Sequence, residues 1–157
     1  MQDKVAVVTG GGRGIGQAIA MRFASEGAKV AIWELDEECA QAAASSIEKD
    51  GGEAQAFPCD VSAHDSVLAA VAATEAKFGT ITTLVNNAGI AHVGTVESTS
   101  EEDFDRIQKI NVKGPFNCLR SVVPLMVENG GGVVLNLASV ASNLGIAERF
   151  AYSTSKG

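Results

Sequence analysis

Short runs of aliphatic and β-branched residues alternate with longer segments of helical periodicity along this chain. The apolar runs are continuous rather than alternating, which is typical of strands buried on both faces of a parallel sheet. The longer segments repeat apolar residues three and four positions apart, as one buried helix face requires. The predicted strands are 5–8, 29–33, 54–58, 81–85 and 133–137, and the predicted helices are 14–26, 37–49, 62–78 and 98–127, with a last helix beginning near 151.

Three polar or proline signals set helix boundaries within this pattern. Ser62 is expected to cap the third helix, and Ser98-x-x-Glu101 predicts a capping box for the long fourth helix. We expect that helix to break or kink near Gly114-Pro115, because a proline ring clashes with the preceding helical turn.

Strands that are each followed by a helix predict right-handed crossovers and an α/β fold. The expected architecture is a doubly wound, Rossmann-like parallel sheet with helices on both faces. Neither an internal repeat nor a linker interrupts the pattern, so residues 1–157 are expected to form one domain.

Composition narrows the class of protein. Of 157 residues, 46% are hydrophobic and 20% are charged, which is ordinary for a globular domain. A net charge of −7 argues against a nucleic-acid or anionic membrane surface, since both require clustered Lys and Arg. No apolar stretch reaches the roughly 18 residues that a membrane span needs.

The cysteines and histidines predict neither disulfides nor a metal site. Cys39, Cys59 and Cys118 are odd in number and widely spaced, unlike a disulfide framework or a Cys-x-x-Cys motif. The two histidines lack ligand-like spacing. Reduced thiols, and an N-terminus without the pattern of a signal peptide, lead us to expect a cytoplasmic location.

The first strand runs directly into a glycine-rich turn with the spacing G-x3-G-x-G. Glycines adopt positive φ and let the backbone approach a pyrophosphate, and the following helix offers unpaired N–H groups to its phosphates. A flexible turn without a ligand is the alternative, but the position between a strand and an amphipathic helix favours binding. The candidate residues are Gly10, Gly12, Arg13, Gly14, Ile15 and Gly16.

Glu34 follows the second strand, about 20 residues beyond the loop, where an acid accepts hydrogen bonds from ribose hydroxyls. A carboxylate there repels the 2′-phosphate of NADP, whereas Arg13 could hold that phosphate. We favour NAD over NADP, because like-charge contact at the ribose is costly. The alternatives are an exposed acid beside Asp36 and a surface arginine.

Six motifs occur in this order along the chain: Thr9–Gly16, Asp60-Val61, Asn86–Gly89, Asn111, Ser139 and Tyr152-x3-Lys156. With these motifs the chain resembles the short-chain dehydrogenase/reductases. The resemblance implies hydride transfer between a nicotinamide cofactor and a secondary alcohol or ketone. It also implies that Asp60 and Val61 contact the adenine, and that Asn87, Ala88 and Gly89 lie along a cofactor ribose. Without the resemblance, Asp60 would be a polar residue at a strand end and Asn86–Gly89 would be a turn.

Tyr152 and Lys156 are four residues apart, and therefore share one face of a helix. A nearby ammonium group favours a phenolate, which lets a tyrosine take or return a proton at neutral pH. The resemblance implies that Lys156 also binds the nicotinamide ribose. It further implies that Ser139 holds the substrate oxygen and that Asn111 holds a water linked to Lys156. The alternatives are that the spacing of Tyr152 and Lys156 is due to chance, that Ser139 is an ordinary loop serine, and that Asn111 is a buried polar residue of a helix.

Arg149 and His92 are candidate substrate residues. Arg149 lies three residues before Tyr152 and could bind a carboxylate through two hydrogen bonds. His92 follows the turn after the fourth strand. The surrounding sequence resembles family members that act on small hydroxy or oxo acids, and 3-oxoacyl substrates are also considered. A surface arginine and a loop histidine are the alternative.

Members of this family are longer than 157 residues. The resemblance implies further strands and a nicotinamide-binding segment beyond Gly157, so strand 133–137 is expected to be an uncovered apolar edge. The complete form is expected to be a homo-oligomer that acts on a small molecule. A dinucleotide-binding fragment without catalysis stays as the alternative function.

Overall fold

A five-stranded parallel sheet forms the centre of the computed structural model, which describes all residues from 1 to 157. The strand order is β3-β2-β1-β4-β5, and every neighbouring pair is parallel. This order confirms the predicted doubly wound α/β fold. The strands are β1 (Val5–Thr9), β2 (Lys29–Glu34), β3 (Glu53–Pro58), β4 (Thr83–Asn86) and β5 (Val133–Asn136).

Helices cover both faces of the sheet and give it two separate cores. Successive strand residues point to opposite faces, so Val7 packs in one core and Val8 in the other. One core lies under α1 and α2 and the other under α3 and α5. The helices are α1 (Gly14–Ser25), α2 (Glu37–Lys49), α3 (His64–Phe78), α4 (Glu101–Asn111), α5 (Lys113–Glu128) and α6 (Phe150–Lys156), and a 3₁₀ turn covers Val140–Ser142.

A buried hydrogen bond joins α3 to the centre of the sheet. Trp33, near the end of β2, is fully buried and its Nε1 donates to Thr74 Oγ1 (3.0 Å). The Thr74 hydroxyl in turn donates to the carbonyl of Ala70 (2.7 Å). The indole N–H therefore has a partner inside the core, as a buried donor requires.

The cap of α3 differs from the prediction. Ala63 is the N-cap and its side chain cannot cap, whereas Ser62 was expected in that role. The backbone amide of Ser62 donates to Asp60 Oδ1 (2.9 Å). Asp60 therefore holds Ser62 in the turn that precedes the helix.

The predicted capping box at Ser98 and Glu101 was wrong by two residues. Ser100 caps α4, and its Oγ accepts from the amide of Asp103 (3.1 Å) and donates to Asp103 Oδ2 (2.9 Å). Ser98 Oγ instead accepts from the amide of Thr95 (2.9 Å). Ser98 and Ser100 each form a local side-chain to backbone turn, and the sequence pattern did not show which of them caps the helix.

The long fourth helix breaks at Val112, slightly before the expected site at Gly114-Pro115. Pro115 becomes the third residue of α5, where its missing N–H has no helical partner to lose. Gly114 lies against Val61, and a Cβ placed on Gly114 would be 2.8 Å from Val61 Cγ2. Close packing of the start of α5 on this turn therefore requires glycine.

β5 is an edge strand with exposed apolar side chains, as expected. It pairs with β4 alone, and Val133 and Leu135 are 63% and 45% exposed. Among the helices, none combines the length and the apolar character needed to cross a membrane.

Replacing Thr74 by valine should lower the free energy of unfolding by about 1–3 kcal/mol, because the indole N–H of Trp33 loses its only partner in a dry core. Thr74→Ser keeps the hydroxyl and should cost clearly less. Urea denaturation followed by the fluorescence of Trp33, the single tryptophan, measures both. Equal stability of the valine and serine variants would contradict this role for the hydrogen bond.

Candidate functional site

A cleft opens at the carboxyl ends of β1, β2 and β4, where the strand order reverses. Ligands of open α/β sheets bind at this position, because the loops after the two central strands diverge there. The cleft has a volume of about 650 Å³. Nine of the predicted cofactor-binding residues line it: Gly10, Arg13, Ile15, Glu34, Asp60, Val61, Asn87, Ala88 and Gly89.

Positive φ values give the glycine loop its shape. Gly10 and Gly14 have φ of 62° and 57°, a region that residues with a Cβ rarely adopt. A Cβ on Gly16 would collide with the carbonyl oxygen of Gly10. Gly12 is not part of the cleft lining, and a Cβ there would lie 3.1 Å from the amide nitrogen of Ala40. The glycines therefore serve both the turn and its packing against α2.

Thr9 and Asn87 connect the loops after β1 and β4. Thr9 Oγ1 accepts from the backbone amides of Asn87 and Ala88, both at 3.0 Å. Asn87 Nδ2 donates to the carbonyls of Thr9 (3.0 Å) and Gly10 (3.1 Å). Thr9 had no predicted role of its own, although its position directly before the first loop glycine was an available signal.

Backbone amides fix the Glu34 carboxylate at the cleft. Its Oε1 accepts from the amide of Leu35 (2.9 Å), and its Oε2 accepts from the amide of Gly12 (3.3 Å). Oε1 also accepts from the amide of Asp36 (3.4 Å), so it is Oε2 that keeps lone-pair capacity for a further donor. A hydrogen-bond acceptor is thus held between β2 and the glycine loop.

Asp36 was missed as a cleft residue, although it lines the cleft and pairs with Arg13. The Arg13 guanidinium lies 3.1 Å from Asp36 Oδ2, and the arginine side chain is 67% exposed. Asp36 also caps α2 by accepting from the amide of Cys39 (3.1 Å). That hydrogen bond is the main reason that the pKa of Asp36 lies below its usual value. The position of Asp36 directly before Glu37, where α2 begins, could have identified it as a helix cap.

Asp60 and Val61 line the far side of the cleft. The carbonyl of Val61 accepts from Asn117 Nδ2 (2.9 Å), which attaches this turn to α5. Cys59, also in the lining, is buried, and burial raises the pKa of its thiol to about 12. The thiol is therefore neutral at physiological pH and inert as a nucleophile.

Asn111 and Lys156 adjoin the Gly89 end of the cleft. Asn111 Nδ2 donates to the carbonyl of Ile90 and to Ser155 Oγ (both 2.9 Å), and Oδ1 accepts from the amide of Ile90 (2.9 Å). Lys156 Nζ donates to the carbonyl of Leu137 (2.9 Å). A Cβ placed on Gly89 would lie 3.2 Å from Asn111 Oδ1 and 3.5 Å from Lys156 Nζ. The two side chains therefore approach one point of the cleft wall.

Ser139 and Tyr152 belong to neighbouring elements. Ser139 follows β5 and caps the 3₁₀ turn, with its Oγ accepting from the amide of Ala141 (3.2 Å). Tyr152 is half-buried on α6, which packs against this turn. Lys156 lies four residues later on the same helix.

Comparison with known proteins places the chain in a family. A family model described as short chain dehydrogenase matches residues 4–157. The chain belongs to this family. The family assignment confirms the resemblance found from the motifs.

Three relatives illustrate the similarity. An uncharacterized oxidoreductase from Thermotoga maritima is 44% identical over 99% of the chain and 61% of its own length. A D-threitol dehydrogenase from Mycolicibacterium smegmatis is 41% identical over 99% of the chain and 60% of its own length. The crystal structure of NAD⁺-bound xylitol dehydrogenase superposes with a TM-score of 0.96 at 37% identity, covering 99% of the chain and 60% of that structure. The chain spans about 60% of the length of these relatives.

The two candidate substrate residues lie outside the lining of the cleft. His92 Nε2 lies 3.6 Å from Asp103 Oδ2. Arg149 precedes α6, and its Nη1 donates to the carbonyl of Glu148 (2.9 Å). The structure therefore brings both to the loops beside α6.

Proposed function

We propose that this chain forms the nucleotide-binding and catalytic part of an NAD(H)-dependent oxidoreductase that interconverts a secondary alcohol and a ketone. The observation that supports this most is the position of Gly89. It lines the cleft and also adjoins Asn111 and Lys156. Two of the candidate catalytic groups thus lie beside the cleft. The named relatives, a threitol and a xylitol dehydrogenase, also support alcohol oxidation.

The residues of the cleft fit a nicotinamide dinucleotide. The glycine loop and the first N–H groups of α1 suit a pyrophosphate, and Asp60 and Val61 would contact the adenine. Lys156 would hold the nicotinamide ribose. When bound, the cofactor accepts or supplies the hydride.

The charges at the end of β2 support NAD over NADP. The fixed carboxylate of Glu34 suits the 2′- and 3′-hydroxyls of the adenosine ribose, and it would repel a 2′-phosphate. Arg13, the competing group, is paired with Asp36, so part of its charge is already balanced. The local balance of these three charges is negative, which opposes a phosphate.

Proton transfer is assigned to the residues of α6. In oxidation the Tyr152 phenolate takes the hydroxyl proton of the alcohol, and in reduction the phenol returns it. The Lys156 ammonium stabilises the phenolate, and Ser139 Oγ donates to the substrate oxygen as charge develops. Asn111 Oδ1 has a lone pair left for a water that would connect Lys156 to solvent.

The charge of Arg149 supports a small hydroxy or oxo acid as substrate. The ion pairs within the chain involve Arg13, Arg22 and Arg106 but not Arg149. Its guanidinium, bound to a neighbouring carbonyl, is therefore available to a carboxylate.

Replacing Glu34 by alanine should raise the affinity for NADPH relative to NADH about tenfold, since one charged acceptor for ribose hydroxyls is removed together with the repulsion of a phosphate. Glu37→Ala removes an exposed acid of α2 outside the cleft lining and should leave the ratio unchanged. Titration of nucleotide fluorescence measures both affinities. A preference of the unmodified protein for NADPH would contradict the assignment of Glu34.

Tyr152→Phe should reduce turnover by at least about 100-fold, because the general acid and base is lost. NADH binding should stay within about twofold, since the cleft is untouched. Oxidation of a panel of polyols, hydroxy acids and sugar acids, with 3-oxoacyl thioesters for the reverse direction, provides the rates. NADH binding without turnover by the unmodified chain would favour the fragment alternative, and near-normal turnover by the variant would remove Tyr152 from the mechanism.

With an acid substrate, Arg149→Ala should raise KM about 10- to 100-fold, as expected for a lost charged hydrogen bond. Arg149→Lys keeps the positive charge but lacks the paired N–H groups of the guanidinium, and should raise KM less. Polyol substrates provide the internal control, because their KM should not change. Unchanged KM values for every acid in the panel would exclude carboxylate binding by Arg149.

A further inference from the structure

A single parallel bridge joins the loop after β4 to the start of the helix that carries Tyr152. It pairs Gly94 with Arg149. The amide of Gly94 donates to the carbonyl of Glu148 (2.9 Å), and the amide of Phe150 donates to the carbonyl of Gly94 (3.1 Å). Since Phe150 is the first residue of α6, the bridge sets where that helix begins.

The backbone on the α6 side of this bridge is strained. Glu148 has a φ of 54°, which is uncommon for a residue with a Cβ. Such a conformation persists only where the surrounding contacts hold it. The Glu148 carbonyl is held by the amide of Gly94 and by Arg149 Nη1. Contacts that fix Gly94 therefore also fix this turn.

The imidazole of His92 provides such a contact. A Cβ placed on Gly94 would lie 2.7 Å from His92 Cε1, so the ring packs directly against the bridging residue. Its Nε2 lies 3.6 Å from Asp103 Oδ2. Asp103 is itself held by Ser100 Oγ (2.9 Å) and Arg106 Nη2 (3.3 Å). The hydrogen bond from Ser100 is the main reason that the pKa of Asp103 lies below its usual value, so it is a carboxylate at neutral pH.

The orientation of the ring argues against direct contact with a substrate. The His92 side chain is 13% exposed, and its Nδ1 is buried without a protein partner. Its other nitrogen faces Asp103. A carboxylate beside Nε2 favours the proton on that nitrogen. Nδ1 is thus buried away from solvent, and Nε2 faces α4.

α4 and α6 meet a second time beside this pair. Phe104, the residue after Asp103, stacks on Phe150 with ring centroids 6.0 Å apart and planes at 25°. The start of α6 is therefore located by two contacts from the start of α4, one through the aromatic stack and one through His92 and Gly94.

We propose that His92 is a positioning residue, which Asp103 holds against Gly94 so that the Gly94–Arg149 bridge fixes the start of α6 and the place of Tyr152. The inference rests on the proposed function, because turnover at Tyr152 is what the bridge would serve. It replaces substrate contact by His92 with an indirect role through the backbone.

The test compares two substitutions of similar length at position 92. His92→Met fills the space but presents no N–H toward Asp103, whereas His92→Gln retains one at about the same reach. His92→Met should lower kcat about 10- to 100-fold, as expected for a displaced catalytic group. KM and the Kd for NADH should stay within about twofold, and His92→Gln should recover most of the rate.

Charge variants on α4 provide the matched control. Asp103→Asn should lower kcat less than His92→Met, and adding it to His92→Met should cause no further loss, because both act through one contact. Glu102→Gln removes a neighbouring exposed acid of the same helix turn and should have no effect. Additive losses from the two variants would show that His92 does not act through Asp103.

Amide hydrogen exchange tests the bridge without reference to turnover. The amides of Gly94 and Phe150 should lose protection in His92→Met and keep it in His92→Gln. Unchanged protection, a rise in KM at constant kcat, or loss of NADH binding would each overturn the inference. If the unmodified protein oxidises no alcohol, the proposed function fails, and the exchange measurement still decides whether His92 holds the bridge.

Discussion

One hydroxyl group holds together the two turns from which the site is built. Thr9 Oγ1 accepts from two consecutive amides after β4, and Asn87 returns two hydrogen bonds to the carbonyls that begin the glycine loop. β1 and β4 are the strands between which the chain changes sides of the sheet. The hydrogen bonds of Thr9 and Asn87, here called the clamp, therefore shape the floor of the cleft and place Gly89 at its end. The other parts of the site depend on that placement.

Glu34, Asp36 and Arg13 form a charged rim at the cleft, and backbone amides rather than side chains hold its two carboxylates. The amides of Gly12 and Leu35 hold Glu34, and the amide of Cys39 holds Asp36. A carboxylate fixed by amides loses little further entropy when a hydroxyl donor arrives. Arg13 has no comparable support and reaches across to Asp36 from an exposed position. The rim therefore consists of two carboxylates held by backbone amides and one exposed arginine paired with one of them.

The segment after β4 connects the cleft with the helix that bears Tyr152. Thr9 anchors it at Ala88, Asn111 anchors both the amide and the carbonyl of Ile90, and the bridge to α6 anchors Gly94. Asn111 also bonds to Ser155 on α6. A change in any of these anchors would affect both the cleft and the start of α6, because one short stretch of backbone joins them.

The sequence by itself determined the order of strands and helices, the parallel sheet, the place of the cleft and most of its lining. The elements and the glycine-loop side of the cleft follow from periodicity and from glycines next to a strand end, which are local properties of the chain. Asp60, Val61 and the segment from Asn87 to Gly89 were expected at the cleft only because of the family resemblance. The tertiary structure decided which serine caps α4, that Arg13 pairs with Asp36, and that His92 faces Asp103 rather than the cleft. Each of those outcomes is a choice between partners with similar local chemistry. The residues adjacent in the chain do not determine which partner is chosen, because the choice depends on how separate elements approach one another when they pack.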